Sequence, residues 1–304
     1  MRSALLALAL LGAPGGLGAS PDAPARPLEV RGYFSPEEGF ASSSWWFRTE
    51  RGSVLVGAPL LTDHGAALRR EMEGAGGLPG ATMLLSSRPE ASWGAGGVAT
   101  PRTRTWSSRH VAETLEGSVR ATRDFLLRTG LSLDRLPAAP PVPTNTFSGT
   151  LNLGFEGFTL RLIELSEAGP AAPVVAFVPE TGDLFAGDLV TVRVHPDSDG
   201  LDHRGWERSL DALARLRPLR IFPGRGPAGG PGTIGVLRRY LETLEETVQE
   251  YVVRGKPQLS PREVAAARGR MQKRCPDWRL PGALDRTIPA EYARQYRLRY
   301  DTGP

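Results

Sequence analysis

The chain has one cysteine, Cys275, so no intramolecular disulfide can form and the fold has to hold by packing alone. It has four histidines, His64, His110, His195 and His203, and none forms a His-x-His or His-Glu-x-x-His pair. The usual sequence signatures of a zinc hydrolase are therefore missing. There is no G-x-S-x-G elbow and no S-x-x-K, which removes the common serine-nucleophile patterns. Lysine is nearly absent: Lys256 and Lys273 stand alone among arginines, which, with the alanine, glycine and proline load, reads as coding bias. Beyond the first residues no apolar run is long enough to span a membrane.

What is present is ordinary globular composition, 40% hydrophobic and 23% charged over 304 residues. That length holds one large α/β domain with appendages or two small domains. Residues 1–19 read as a signal peptide. Arg2 precedes the apolar run Ala4–Leu11, and Leu17-Gly18-Ala19 offers a small-residue cleavage site. An exported protein, periplasmic or secreted, is expected, with no transmembrane helix after processing; an uncut membrane anchor is the competing reading. The net charge of +4 is uneven. From Arg254 to Tyr300 there are twelve Arg or Lys against four Asp or Glu, so the rest of the chain is net negative. A basic tail of this kind docks on an acidic surface, or its arginine stems cover the main domain. No aromatic stacking pattern accompanies it, and sequence-specific nucleic-acid binding is not expected.

Along the chain, Leu28–Tyr33, Ser44–Arg48 and Ser53–Ala58 read as an antiparallel set of strands. Asp63 is placed to cap a helix through Ala66–Met72, Thr82–Ser86 is a buried strand, and Ser108 caps one long helix to Arg128. Thr146–Leu153 and Phe158–Leu165 read as a hairpin, followed by the strands Val174–Val178 and Leu184–Ala186. Trp206–Leu216 and Thr233–Val253 have helical spacing around the strand Leu219–Phe222. The expected organisation is a domain over 20–255 and a basic C-terminal extension over 256–304, with helices near Pro261–Met271 and Pro289–Arg297.

The most specific features are Gly187-Asp188 at a strand end and the loop Pro223-Gly-Arg-Gly-Pro227 ahead of a helix. With the run Val174–Val190 they resemble the C-terminal half of the metallo-β-lactamase fold. The resemblance covers about Leu28–Val253 and implies an αββα sandwich, two mixed β-sheets face to face with helices outside. It also implies a metal centre, with a strand-end aspartate between two metals and a Pro-Gly-His-Gly-Pro loop supplying a late histidine. Asp188 matches the aspartate, while Arg225 stands at the histidine position. The family's His-x-His-x-Asp-His motif falls on Ser87, Pro89, Ala91 and Ser92, and its middle histidine near Gly169. A family aspartate that orients a ligand falls at Gly57.

A catalytic zinc needs about three imidazole, thiolate or carboxylate ligands. One aspartate is too few. The resemblance therefore implies a vestigial cleft of Ser87, Glu90, Ser92, Gly169, Asp188 and Arg225, with no catalytic residue, metal or cofactor assigned. In that cleft Arg225 is expected to replace the cation through a bidentate pair with Asp188; otherwise Arg225 points to solvent and Asp188 accepts backbone N–H groups. The expected function is a non-catalytic binding or assembly protein for a small molecule or protein. The alternative is a divergent metal-dependent hydrolase, with zinc held by Asp188, Glu90 and a loop histidine. Gly224-Arg-Gly-Pro-Ala-Gly229 also matches a dinucleotide fingerprint, but Pro227 removes one N–H from the phosphate cradle. Trp45, Trp46 and Trp93 are expected to pack the core or to line the former cleft.

Overall fold

Successive side chains of a strand point to opposite faces, and the first strands show how that period builds two cores at once. The computed structural model describes residues 27–165, 173–197 and 203–300; the expected signal peptide, 1–19, and Gly169 lie outside them. On β2 (Ser43–Thr49), Trp45 and Phe47 enter a core between two sheets, while Trp46 turns outward. On β3 (Gly52–Val56), Val54 and Val56 face inward and Leu55 outward. The outward residues meet Leu68 and Met72, four apart on α1 (Thr62–Gly74), so the helix covers the sheet through one stripe. Asp63 does not cap this helix. Leu61 holds the N-cap position, and the Asp63 carboxylate instead accepts from Arg135 at 2.7 Å.

The first sheet has the order β1-β2-β3-β4-β5-β6, adding β1 (Arg31–Phe34), β4 (Pro79–Met83), β5 (Arg104–Ser108) and β6 (Asn145–Phe147). It is antiparallel over β1–β3 and parallel from β3 to β6. The one-turn helix α2 (Ala95–Val98) lies beside α1. The long helix expected from Ser108 to Arg128 is two: α3 (Arg109–Gly117) and α4 (Val119–Arg128), broken at Ser118. Ser108 does cap the first, accepting from the Val111 N–H at 3.1 Å. Gly117 and Ser118 are weak helix formers at the break.

The second sheet has the order β11-β10-β9-β8-β7, from β7 (Thr150–Phe155), β8 (Phe158–Glu164), β9 (Val174–Val178), β10 (Asp183–Thr191) and β11 (Arg220–Arg225). β10 and β11 are parallel and the other pairs antiparallel. The hairpin is expected to begin at Thr146. Instead, residues 145–147 finish the first sheet and the chain crosses to the second through Ser148-Gly149. Val174, Ala176 and Val178 of β9 face the inter-sheet core, and Val175 and Phe177 face outward. There they meet α5 (His203–Arg215) and α6 (Gly232–Gln249), through Leu210, Leu213, Leu237 and Leu241. The result is an αββα sandwich of two mixed sheets.

The C-terminal extension is part of the same body. Its helices α7 (Pro261–Arg274) and α8 (Leu284–Tyr300) bury Ala267, Met271, Leu284, Ile288 and Tyr292 in one cluster with Tyr240, Leu244 and Val248 of α6. Each such large apolar side chain contributes about 1.5–3 kcal/mol by leaving water. This cluster takes residues from both sides of 255/256. α8 also begins earlier than expected, at Leu284, and carries Pro289 inside it. Much of the basic excess is matched within the chain: Arg268 pairs with Asp285, Arg274 with Glu246, Arg279 with Glu37 and Arg294 with Glu245 and Glu291. Among the described residues no helix is long and apolar enough to cross a membrane.

Candidate functional site

The site sits where β10 and β11 end, and two glycines make it possible. Gly187 has φ 52°, a left-handed conformation, at the bulge that shifts the β10–β11 register. This kink turns Asp188 out of the strand alternation. Gly224 packs against that kink so tightly that a Cβ there would meet the Gly187 carbonyl carbon and oxygen at 2.6 Å. Only a residue without a side chain lets the β11 backbone come so close to Asp188. The loop is then pinned: Trp45 Nε1 donates to the Pro223 carbonyl at 2.7 Å, Ser43 Oγ to Gly226 at 3.0 Å, and the Val192 N–H to Arg225 at 2.9 Å.

The opposing wall is the loop after β4. A short 3-10 turn at Pro89–Ala91 turns Glu90 inward. Ser86 Oγ accepts from the Arg88 N–H at 3.1 Å, and Ser92 Oγ donates to the Arg88 carbonyl at 2.7 Å. These bonds fix the turn. They also show that Ser92, fully buried, fastens the loop and does not line the cleft.

Arg225 is 3% exposed, and its guanidinium donates from Nη2 to Oε1 of the buried Glu90 at 2.6 Å and from Nε to the Phe40 carbonyl at 3.1 Å. The expected bidentate pair with Asp188 is not formed, and neither is the solvent-facing alternative. Arg225 Nη1 and Asp188 Oδ1 stand 3.9 Å apart, an ion-pair distance without a hydrogen bond. The inward turn of Glu90 supplies a nearer carboxylate.

Arg88, which sequence reasoning left out of the site, lies at 3.8 Å from Glu90, 3.9 Å from Asp188 and 3.9 Å from Asp197. Asp197 in turn accepts from Arg286 Nε of α8 at 3.0 Å. Three guanidiniums and three carboxylates thus run in one chain from β11 to the C-terminal extension. Arg88 stands beside Ser87 and Glu90 in the sequence, the only available hint. Arg286 has no sequence signal, because nothing in the tail's spacing points to a loop almost ninety residues earlier.

Arg88, Glu90, Asp188 and Asp197 of this network line a cleft of about 500 Å³, with Arg225 and Arg286 behind them. Ser86, Ser87, Arg88, Glu90 and Asp188 form one side, and Thr114, Ser118, Thr122, Phe125 and Arg128 of α3 and α4 the other. The Arg286 guanidinium lies over the Phe125 ring at 5.1 Å, so the extension also supports the far wall. Of the other candidates, Gly169 lies outside the described residues. His203 opens α5, His64 lies against Glu38, and His195 is buried, with Nδ1 at 2.8 Å from Tyr240 Oη and its ring beside Trp278. Burial pushes the His195 imidazole down to about 4.

No family model matches the sequence, and no curated protein matches it. Solved structures do match. A β-lactamase domain protein from Burkholderia ambifaria superposes with a TM-score of 0.64 at 18% identity, over 92% of this chain and 87% of that one. A metallo-β-lactamase family protein from Thermus thermophilus gives 0.60 at 17%, over 88% and 93%. This chain has the metallo-β-lactamase fold. The stereoselective inverting sec-alkylsulfatase Pisa1 from a Pseudomonas species also matches, with a TM-score of 0.59 at 15% identity, over 85% of this chain and 47% of the sulfatase, so this chain spans about half its length.

In a metallo-β-lactamase fold this cleft is the place for metal, and the residues here do not fit one. Among the described residues no group of three or more His, Cys, Asp or Glu is arranged to hold an ion. Glu90 and Asp188 are both within 4 Å of two guanidiniums. At an effective dielectric of about 20, a divalent ion 4 Å from one fixed positive charge is repelled by roughly 8 kcal/mol. One atom points the other way: Asp188 Oδ2 is buried without a hydrogen-bond partner. A single oxygen does not outweigh two guanidiniums.

Proposed function

We propose that the protein binds a ligand in this cleft without turning it over, as an exported, non-catalytic relative of the metallo-hydrolases. The observation that supports this reading is the buried Arg225–Glu90 pair at 2.6 Å, which puts a permanent organic cation where the fold otherwise gathers metal ligands. The walls suit a small molecule with both apolar and hydroxyl-bearing surface. Phe40, Phe125 and Leu189 offer the first, and Ser87, Thr114 and Thr122 the hydrogen bonds. Removal of residues 1–19 on export belongs to the same proposal.

Metal analysis of the purified full chain after dialysis, with a melting curve, tests it. A metal-free sample with a cooperative melt, stabilised by a bound small molecule, agrees. Stoichiometric zinc or iron that survives dialysis would overturn the reading and leave the divergent hydrolase.

A further inference from the structure

At the other end of the sandwich the core is open. Interiors of folded domains are normally packed without voids much larger than a water molecule. Here a second cavity, of about 540 Å³, enters between the inner faces of the two sheets. It lies where the parallel strands β3, β4 and β5 begin, whereas the cleft with Asp188 and Arg225 lies where β4 ends. Its lining is mixed, with Thr49, Ser53 and Asn152 beside an apolar part. Trp106 of β5 and Leu153 and Phe155 of β7 are half-buried side chains that pack on the inter-sheet core, with Met83 and Ala81 on the floor. Gly80, Ala81 and Gly154 supply little volume, and β7 is the last strand of its sheet, so no further strand closes the gap.

The mouth is positive. Arg51, on the β2–β3 turn, and Arg102 and Arg104, at the start of β5, all line it. Arg51 has a partner in Glu50 at 3.3 Å. Arg102 and Arg104 are exposed, and neither has a carboxylate partner among the described residues. This contrasts with Arg268, Arg270, Arg274, Arg286 and Arg294 of the C-terminal helices, each of which has a carboxylate partner. Arg104 and Trp106 are two apart on β5 and so point the same way, which joins the charged rim to the apolar part within one strand. No carboxylate lines the cavity.

We propose that this cavity is a binding site for an anionic amphiphile, its apolar chain between Trp106 and Phe155 and its carboxylate or sulfate head on Arg102 and Arg104. The volume falls in the range of ordinary small-molecule pockets. Guanidinium is the side chain best suited to grip a carboxylate or sulfate with two parallel bonds. This site is independent of the cleft and of whether the protein is an enzyme.

Calorimetric titration of the full chain with decanoate, below its micelle concentration, tests the assignment, with decan-1-ol as the neutral comparison. The site predicts saturable binding at one equivalent. The alcohol and the double variant Arg102→Gln/Arg104→Gln should each bind roughly tenfold or more weaker. Both arginines are exposed, so that variant should melt with the parent. Ala81→Leu, which fills the floor, should abolish binding with both arginines in place. Absence of saturable binding overturns the proposal, as does equal affinity for acid and alcohol, or decanoate affinity that is undiminished in either variant.

Discussion

The guanidinium of Arg225 and the carboxylate of Glu90 meet at 2.6 Å with both side chains more than nine-tenths buried. They come from the two halves of the chain and join the first sheet's loops to the end of β11. Removing one partner leaves the other charged and dry. Arg225→Met is expected to destabilise the protein by about 3–5 kcal/mol. The double change Arg225→Met/Glu90→Leu should cost clearly less than the two single changes added together. Denaturant unfolding of the four proteins measures this, and simple additivity would count against a coupled pair.

Arg225→His restores the residue type of the family's late ligand. It is not expected to recruit stoichiometric zinc, because Arg88 still stands at 3.9 Å from Asp188 and the loop after β4 carries no histidine. Metal content after dialysis against micromolar zinc reads the result.

His195 makes stability depend on pH. Its folded value is depressed to about 4 from 6.5, so between these values the unfolded chain binds a proton that the folded protein does not. The stabilisation is present above about pH 6.5 and is lost as pH falls towards 4, by on the order of 2–3 kcal/mol. Melting curves across that window should flatten in His195→Gln relative to the parent. An unchanged slope would show that another group is responsible.

Truncation after Val253 tests the extension. It would expose Tyr240, Leu244 and Val248 on α6 and remove Arg286 from Asp197. A loss of cooperative unfolding is expected, because a bared cluster of this size is a large share of a domain's net stability. A shortened chain that melts like the parent would make 256–300 a separate appendage after all.

Within the new cavity, Trp106→Ala should weaken decanoate binding without lowering the affinity of any ligand found for the cleft, since the two sites lie at opposite ends of the strands. Titration of each ligand into the same variant checks this, and a parallel loss at both sites would show that one depends on the other.

Much of the architecture was legible in local pattern. The two-residue period that splits Trp45 and Phe47 from Trp46 is written in β2, and the same holds for Val175 and Phe177 on β9. Gly187-Asp188 and Pro223–Pro227 marked the site because a kinked carboxylate and a close backbone approach require particular residues at particular places, although β10 does not stop at Ala186 but runs on through a bulge to Thr191. Local reading failed where a residue's neighbours decide its role. The helix expected over Ser108–Arg128 broke at Ser118, and the strand expected from Thr146 was shared between two sheets.

The site divides along the same line. Sequence alone determined that a Gly-Asp pair would mark the site, that arginine would occupy the late ligand position, and that no disulfide would brace the fold. Only the tertiary structure decided which carboxylate Arg225 would pair with, that Ser92 would fasten a loop, and that Arg88 and Arg286 would join the network. Charge pairing depends on a few ångströms between segments far apart in the chain. Those distances are set by how the two sheets and the last helix pack, which no local spacing encodes.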